Sequence, residues 1–251
     1  MPLVRRLFSI AYWLFFVATA LPGFLILLVV SAVTAPFDPD RRVVHAFVCR
    51  YSHAYLHIPP GWHVTVEGRA LLPSGPAVIV ANHQSMADVA AAMGLYHPFK
   101  FVSKGSLFSV PLIGWCMKLA RYVRVERGRA HSMMQMMEDC RGWLRRGMPV
   151  LLFPEGTYAP GGRMLPFRKG AFVLAIEERV PLVPVVIEGT PGLIFEDGPW
   201  LSPTCHIRVR VLSPIPVSEQ GSDAGVLAAA VQRRFRAALG HEQVAEGESS
   251  T

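Results

Sequence analysis

His83 and Asp88 are the residues whose types and spacing best suit catalysis. Four residues lie between them in the segment Asn82-His83-Gln84-Ser85-Met86-Ala87-Asp88. Histidine side chains titrate near neutral pH and can take a proton from a hydroxyl, while a carboxylate on the other ring nitrogen fixes the tautomer. The pair predicts a general base, His83, oriented by Asp88. No serine or cysteine nucleophile motif accompanies it, which favours direct attack by a substrate hydroxyl on an activated carbonyl.

A structural interpretation of the same residues stays open. Ser85-x-x-Asp88 also matches a capping box, in which Asp88 would only accept a backbone N–H at the start of a helix. Short motifs have many chance matches, so a second motif must support the catalytic interpretation.

The second motif is the turn Phe153-Pro154-Glu155-Gly156-Thr157. It follows the apolar run 150–153, as His83 follows the run 77–81, and both runs predict buried strands. Because ligands commonly bind beyond the carboxyl ends of strands in open α/β sheets, we expect polar groups from the two strand ends to converge. The turn offers backbone N–H groups, the Thr157 hydroxyl and the Glu155 carboxylate to a polar substrate, and Gly156 permits close approach.

Basic side chains near these motifs are candidates for binding phosphate. Arg127 ends the segment Arg124-Val125-Glu126-Arg127, in which a predicted strand delivers cations. Lys104 and Arg168 are further candidates for the same anion. Arginines in a basic protein are usually solvated, so none of these residues identifies a site alone.

The composition favours a membrane surface over nucleic acid as the partner. The net charge is +7, yet only 17% of residues are charged and 51% are hydrophobic. No nucleic-acid recognition motif or zinc-ligand spacing is present in the sequence. The cysteines are far apart and include no C-x-x-C, which predicts neither a metal site nor disulfides. They are Cys49, Cys116, Cys140 and Cys205.

The first 58 residues predict a membrane-associated segment of two helices. Residues 7–37 carry no charge and are long enough to cross the hydrocarbon layer of about 30 Å. Pro22-Gly23 predicts a kink or a turn back within this run. Arginines flank both ends, so a spanning helix and a membrane-dipping anchor both stay open. The length of the run disfavours a cleaved signal peptide. Residues 41–58 predict a second, amphipathic helix.

The remaining chain alternates between strand and helix patterns, which predicts an α/β fold. We place the domain at residues 59–240 and a disordered polar tail at residues 241–251. Strands are predicted at 62–67, 77–81, 99–103, 122–125, 150–153, 182–187 and 206–211, and helices at 89–93, 130–146, 172–178 and 224–239.

In this order the motifs resemble the glycerolipid acyltransferase family, most closely bacterial lysophosphatidic acid (1-acylglycerol-3-phosphate) acyltransferases. Asn82, His83 and Asp88 correspond to the family's N-H-x-x-x-x-D box, and residues 153–157 to its F-P-E-G-T box. Glu126-Arg127 corresponds to the acidic-Arg pair of the second block, and residues 183–187 to the valine- and proline-rich fourth block. The resemblance spans about residues 60 to 215.

The resemblance implies a mostly parallel central sheet flanked by helices, similar to glycerol-3-phosphate acyltransferase. It also implies transfer of an acyl group from acyl-CoA or acyl-carrier protein to a lysophospholipid hydroxyl, with the acceptor phosphate near Arg127 and the Glu155 turn. No metal or other cofactor is implied. The expected location is the bacterial cytoplasmic membrane, with the catalytic domain on the cytoplasmic face.

Two departures from the family pattern affect the acceptor. Tyr158 stands where members commonly have arginine, and Arg121 replaces a small residue of the second block. Arg163, Arg168 or Lys169 could supply the missing cation. Another lysolipid acceptor, including an amino-acid lysolipid, therefore stays open. So do a thioesterase or lipid hydrolase and a non-catalytic lipid-binding protein.

Overall fold

The computed structural model describes residues 2–158, 163–194, 198–217 and 223–248, with side chains described up to residue 240. All predicted strands are confirmed, and no strand end is shifted by more than one residue. They are β1 (Trp62–Glu67), β2 (Val78–Ala81), β3 (Lys100–Lys104), β4 (Val123–Val125), β5 (Val150–Leu152), β6 (Leu182–Glu188) and β7 (Cys205–Val211).

The described residues also form α-helices on both faces of the sheet. They are α1 (Pro2–Thr34), α2 (Arg42–Ala54), α3 (Ala87–Met93), α4 (Ile113–Leu119), α5 (Ala130–Arg145), α6 (Gly170–Glu177) and α7 (Ala224–Glu248). The sequence did not predict α4, because its seven residues are too few to show a helical repeat.

The strands form one seven-stranded sheet in the order β1-β7-β6-β2-β5-β3-β4. From β6 to β4 all neighbours are parallel, whereas β7 runs antiparallel to β6 and parallel to β1. The mostly parallel sheet that the resemblance implied is therefore confirmed.

Two helical layers cover the sheet. Ile79 and Ala81 of β2 face a core shared with α1 to α4, and Val78 and Val80 face a core shared with α5 to α7. A strand buried on both faces needs apolar residues at every position, which explains the unbroken run 77–81.

Helix α1 continues through Pro22 without turning back, so that part of the prediction is wrong. Gly23 lies against the ring of Tyr51 in α2, where a Cβ would come within 2.2 Å of the ring. The Tyr51 hydroxyl donates to the carbonyl of Thr19 at 2.6 Å. Close packing against α2 and this added hydrogen bond lie beside the Ala18 carbonyl, which Pro22 leaves without its helical donor.

The N-terminal helices both contact the domain. Among the described residues, one helix is long and apolar enough to cross a membrane, Leu3–Thr34. Helix α2 ends at Ala54, short of the predicted residue 58, and its buried residues Val44, His45, Cys49 and His53 face the domain. Whether the two helices act as a membrane segment stays a prediction.

The connection between α1 and α2 is fixed to the edge of the sheet by Lys100. This lysine is fully buried, and its Nζ donates to the carbonyls of Asp40 and Ala120 at 2.6 and 2.7 Å. The ammonium group lies over the ring of Trp143. Burial lowers the pKa of Lys100 to about 7, although Asp40 and Asp38 act in the opposite direction.

The last helix extends beyond residue 240, where we placed the end of the domain. Helix α7 runs to Glu248, because adding residues to an existing helix avoids the cost of nucleation. The predicted tail is therefore helical over residues 241–248, and residues 249–251 lie outside the described part of the chain.

Candidate active site

Neighbouring parallel strands bring the predicted site residues to one edge of the sheet. Strand β2 continues into Asn82 and His83, and β5 continues into the turn 153–157. Strand β3 ends at Lys104, and Arg127 follows β4. The backbone N–H of His83 donates to Oε1 of Glu155 at 2.8 Å. The predicted convergence of the two strand ends is therefore confirmed.

The imidazole of His83 is held by Asp88 in the first turn of α3. Nδ1 of His83 lies 2.9 Å from Oδ2 of Asp88. Asp88 is fully buried and His83 is 7% exposed. Since the carboxylate occupies Nδ1, Nε2 is the ring nitrogen left for a substrate. Nε2 has no hydrogen-bond partner among the described residues.

Asp88 also serves the start of α3. Its Oδ2 accepts the backbone N–H groups of Gln84 at 2.5 Å and Ser85 at 2.8 Å. The Ser85 hydroxyl accepts the N–H of Ala87 at 3.2 Å. The capping role and the pairing with His83 are therefore both present, because the same Asp88 carboxylate makes both sets of contacts.

Thr190 completes the surroundings of Asp88, and sequence reasoning missed it. Its hydroxyl donates to Oδ1 of Asp88 and is fully buried. Thr190 comes two residues after β6 and follows Gly189, whose φ is 81°. A hydroxyl residue just beyond the end of a parallel strand was the available signal.

Asn82 fixes the end of β2 to β6. Its Nδ2 donates to the Ile187 carbonyl at 2.8 Å, and its Oδ1 accepts the Ile187 N–H at 2.7 Å. The side chain is 1% exposed. Asn82 therefore positions His83 from the preceding residue, and its burial keeps it from a substrate.

Two aromatic rings enclose the imidazole of His83. The Phe153 ring stacks on it with centroids 4.2 Å apart and an angle of 8°. The Tyr158 ring meets it edge-on at 5.2 Å and 79°. Phe153 is half-buried, whereas Tyr158 is 42% exposed and lies on the open side of the site.

Glu155 lies differently from the sequence expectation, which gave its carboxylate to the substrate. Oε1 accepts the N–H of His83, Oε2 accepts the N–H of Leu165 at 2.6 Å, and the residue is 2% exposed. Burial raises the pKa of Glu155, while the two backbone donors act in the opposite direction. The carboxylate thus joins the two motifs and is not directed at a phosphate, which it would repel.

The turn itself provides a surface beside His83. Gly156 has φ 74°, and its N–H donates to the Phe153 carbonyl at 3.0 Å. A Cβ at Gly156 would lie 2.8 Å from Nε of Arg168. The buried Pro154 accepts the backbone N–H of Arg168 at 2.8 Å, so this arginine lies over the turn.

Arg127 and Arg168 are close, exposed guanidinium groups. Partial burial and then the charge of Arg168 lower the pKa of Arg127. Neither side chain has an ion-pair partner in the described part of the chain, whereas Arg124 and Arg129 pair with Glu126 at 2.6 and 2.7 Å. An anion between two unpaired arginines would relieve their repulsion.

Two other predicted polar residues are open to solvent. Thr157 is exposed, and its hydroxyl contacts only the neighbouring carbonyl of Tyr158 at 3.4 Å within the described structure. Lys104 is exposed at the end of β3. Both are free to contact a ligand.

The structure separates the cations that could replace the family's arginine. Arg168 contacts the turn, whereas Lys169 lies beside Gly225, where a Cβ would be 3.3 Å from the lysine Nζ. Arg163 is exposed. The Arg121 guanidinium donates to the Pro39 carbonyl at 2.9 Å, which gives this departure a structural role in the α1–α2 connection.

Metal ligands and disulfides are absent from the described part of the chain. It contains no group of three or more His, Cys, Asp or Glu side chains that could hold a metal ion. All four cysteines are free thiols.

A family model for acyltransferases matches residues 63–188, half of the chain. The chain belongs to the acyltransferase family. The match includes both motifs that meet at His83 and Glu155, and it confirms the family named from the sequence.

Several curated relatives are named 1-acyl-sn-glycerol-3-phosphate acyltransferase. The 1-acyl-sn-glycerol-3-phosphate acyltransferase of Chlamydomonas reinhardtii is 37% identical over 194 residues, 76% of this chain and 58% of that protein. The human alpha enzyme of the same name is 31% identical over 199 residues, 77% of this chain and 69% of that protein. The chain spans a little over half the length of the first relatives it matches.

The acyltransferase fold also agrees with a solved structure. The crystal structure of the 1-acyl-sn-glycerophosphate (LPA) acyltransferase PlsC from Thermotoga maritima superposes with a TM-score of 0.76 and 23% identity. The match covers 97% of this chain and 98% of that one. The likeness therefore includes α1 and α2 as well as the sheet.

Proposed function

We propose that this acyltransferase moves a fatty acyl group from an acyl thioester to the free hydroxyl of 1-acylglycerol-3-phosphate, giving phosphatidic acid. The buried His83–Asp88 pair, with Nε2 unpaired at the sheet edge, is the observation that carries the proposal. The name shared by relatives over three quarters of the chain supports this acceptor.

His83 acts as the general base. Nε2 takes the proton of the acceptor hydroxyl while the hydroxyl oxygen attacks the thioester carbonyl carbon. Asp88 keeps the proton of His83 on Nδ1 and stabilises the imidazolium. The tetrahedral intermediate collapses as the C–S bond breaks, and the leaving thiolate takes the proton from Nε2. These steps balance without a metal or other cofactor.

The acceptor phosphate binds between Arg127 and Arg168, with Lys104 and Thr157 available at the same edge. Arg168 lies over Gly156 of the turn. It therefore supplies the positive charge that family members commonly have at the position of Tyr158. Guanidinium groups suit a phosphate because they donate two parallel hydrogen bonds.

The donor is acyl-CoA or acyl-carrier protein, and both are anionic. The net charge of +7 favours the approach of either one. The acceptor and the product stay in lipid, so the enzyme works at a membrane surface, with the expected site on the cytoplasmic face of a bacterial cytoplasmic membrane.

Helix α1 lies in one leaflet in this proposal. Phe8, near its start, packs against Trp62 of β1, and Phe24 packs against Trp115 of α4. These positions are about 24 Å apart along a helix, and both touch the same α/β domain. A helix crossing the bilayer with the domain outside could not make both contacts. Labels at Leu7, Leu21 and Val33 should therefore report similar depths, whereas a spanning helix would place position 21 deepest.

The full chain in lipid vesicles tests the reaction. Labelled acyl-CoA and 1-acylglycerol-3-phosphate should give labelled phosphatidic acid, identified by mass spectrometry. His83→Ala and Asp88→Asn should each lower the rate by roughly 10²–10⁴-fold with folding intact. Near-normal rates in both folded variants would reject His83 as the base.

The product analysis also separates the alternatives. Free fatty acid released at the same rate with and without acceptor would indicate a hydrolase. Lipid binding without turnover of any thioester would indicate a non-catalytic protein.

A further inference from the structure

An exposed apolar surface is formed by the segment before α4 and by the start of α4 itself. After β3 ends at Lys104, a short 3₁₀ helix, Gly105–Ser109, leads to α4. Three large apolar side chains of this region are exposed, and we call them the α4 surface: Val110 (37%), Ile113 (47%) and Trp115 (44%). The opposite side of the region is already in the core through Phe108 and Met117. The exposed side chains therefore do not serve the core of the domain.

A strained turn presents the α4 surface. Leu112 has φ 62° and ψ −60°, and the Ile113 N–H donates to the Pro111 carbonyl at 2.7 Å, which defines a γ-turn. Positive φ is unfavourable for a branched residue. Gly114 packs so closely that a Cβ would lie 2.3 Å from the Phe108 carbonyl oxygen. Tight packing thus maintains the strained backbone at Leu112, next to the exposed side chains of Val110 and Ile113.

The α4 surface is continuous with the exposed side of α1. The Trp115 ring lies 5.3 Å from the Phe24 ring. Near Phe24, Leu21 and Leu25 are each 52% exposed. Together these side chains make an apolar area of the kind that marks membrane or protein contacts.

Lipid is the occupant that fits this area. Helix α1 has a mean hydropathy of 2.5 in its most apolar window, a value suited to a bilayer. Tryptophan is enriched where protein meets the interface between lipid and water. Lys118, exposed in the same helix as Trp115, suits anionic head groups.

We propose that Val110, Ile113 and Trp115 insert into the leaflet that holds α1, as a second membrane contact. This inference rests on the membrane placement of α1 and goes beyond the proposed reaction. The α4 surface follows β3, whose last residue Lys104 lies at the edge of the sheet that carries His83. Two contacts hold that edge against the lipid surface, so an acceptor reaches Nε2 without leaving the leaflet.

Spin labels test the contact without any assay of activity. Ile113→Cys is made in a Cys116→Ser background, since the other three cysteines are buried. Val226→Cys in the same background is the control, because Val226 is 54% exposed on α7. The full chain is labelled in phosphatidylcholine and phosphatidylglycerol vesicles. Collision with oxygen and with a water-soluble nickel chelate is then measured by electron paramagnetic resonance.

The label at 113 should meet oxygen readily and the chelate rarely, and the label at 226 should show the reverse. Equal chelate collision at both positions would overturn the proposal. Low collision with both reagents at 113 would also overturn it, because that pattern indicates a contact between two copies of the chain.

A charged substitution gives a second measurement. Ile113→Asp should lower acyl transfer to a long-chain acceptor in vesicles about ten-fold and leave transfer to a water-dispersed short-chain acceptor within about two-fold. Val226→Asp should change neither rate. Unchanged vesicle rates in Ile113→Asp would contradict the proposal. If neither the wild type nor any variant transferred acyl groups, the proposed function would be rejected. The spin-label result would still decide whether the α4 surface contacts the membrane.

Discussion

Single hydrogen bonds determine where the imidazole of His83 stands. Its backbone N–H is bound by Glu155, its Nδ1 by Asp88, and Asp88 in turn by Thr190. Glu155 follows β5, Thr190 follows β6, and Asp88 lies in the first turn of α3. A change in any one of them moves the proposed base without removing it.

Replacing Glu155 with glutamine tests this dependence. The carboxylate accepts two backbone N–H groups, but an amide offers one oxygen and turns an NH₂ group toward the other donor. Glu155→Gln should lower the free energy of unfolding by about 1–3 kcal/mol. The rate of acyl transfer should fall roughly ten- to hundred-fold, since about 1.4 kcal/mol of lost positioning is a factor of ten. Denaturant unfolding and steady-state kinetics measure the two effects.

Glu177→Gln is the matched control for this change. Glu177 is 48% exposed and pairs with Arg141 at the surface. Its loss should alter stability by less than about 1 kcal/mol and leave kinetics unchanged. An equal effect of both substitutions on kinetics would contradict a positioning role for Glu155.

The arginine pair should recognise the phosphate specifically. Arg127→Ala and Arg168→Ala should each lower kcat/KM for 1-acylglycerol-3-phosphate roughly ten- to hundred-fold, because a charge-assisted hydrogen bond contributes about 1.5–3 kcal/mol. With 1-acylglycerol, which lacks the phosphate, the variants and the wild type should differ little. The double variant should lose less than the product of the single losses, since both groups bind one anion.

Arg145→Ala serves as the control, because Arg145 pairs with Glu178 at 2.8 Å and is 62% exposed. Its kinetics should match the wild type on both acceptors. Equal losses on both acceptors in Arg127→Ala and Arg168→Ala would place the phosphate elsewhere.

The sequence predicted the site residues that carry a motif and missed those that act through the fold. His83 and Asp88 are recognisable because side-chain chemistry and spacing both lie in one short segment. Thr190 is 102 residues from Asp88, so only the order of strands in the sheet brings them together. The direction of the Glu155 carboxylate was also not predictable, because it is set by His83 after the neighbouring strand β2.

At the scale of elements, one buried lysine holds the α1–α2 connection. Lys100 begins β3 and binds the Asp40 carbonyl in that connection. Its folded pKa of about 7 lies below the ordinary lysine value of 10.5. Between these values the unfolded chain binds a proton that the folded chain has released, so this residue makes stability rise with pH in that window.

Replacing Lys100 with methionine should remove this pH dependence. From pH 7 to pH 9 the free energy of unfolding of the wild type should gain about 1–2 kcal/mol relative to Lys100→Met, since one proton corresponds to at most about 1.4 kcal/mol per pH unit. Near pH 9, where the burial cost of the charge is absent, Lys100→Met should be less stable than the wild type, because two carbonyls lose a donor. Unfolding in mild detergent at several pH values measures the slopes.

Lys118→Met provides the comparison, because Lys118 is exposed on α4. Its slope should match that of the wild type. Parallel slopes for wild type and Lys100→Met would show that the buried lysine keeps its proton.

Most elements could be predicted from periodicity, and the exceptions have a physical cause. Strands such as β2 are buried on both faces and show as unbroken apolar runs. Helix α4 has seven residues, and its apolar side chains point both to the core and outward, so no stripe distinguishes it. The passage of α1 through Pro22 depended on packing against Tyr51, which periodicity does not reveal.

At the scale of the whole molecule, the sheet separates two kinds of helical layer. The layer of α5 to α7 covers one face of the sheet. The layer of α1 to α4 covers the other and carries the exposed apolar side chains of α1 and the α4 surface. The strand ends with His83 lie along the edge between these layers. This arrangement allows one face of the protein to meet lipid while the other meets water.

The pairing of β1 with β7 has a consequence for biosynthesis. Strand β1 is the end strand of the sheet, and β7 is its neighbour, more than 130 residues later in the chain. While the ribosome is still making that stretch, Trp62 and the helix that packs on it have no sheet to cover them. Nascent chains with such late partners fold slowly and aggregate readily. Early binding of α1 to lipid would shield this surface. The bilayer would then assist folding during synthesis as well as catalysis.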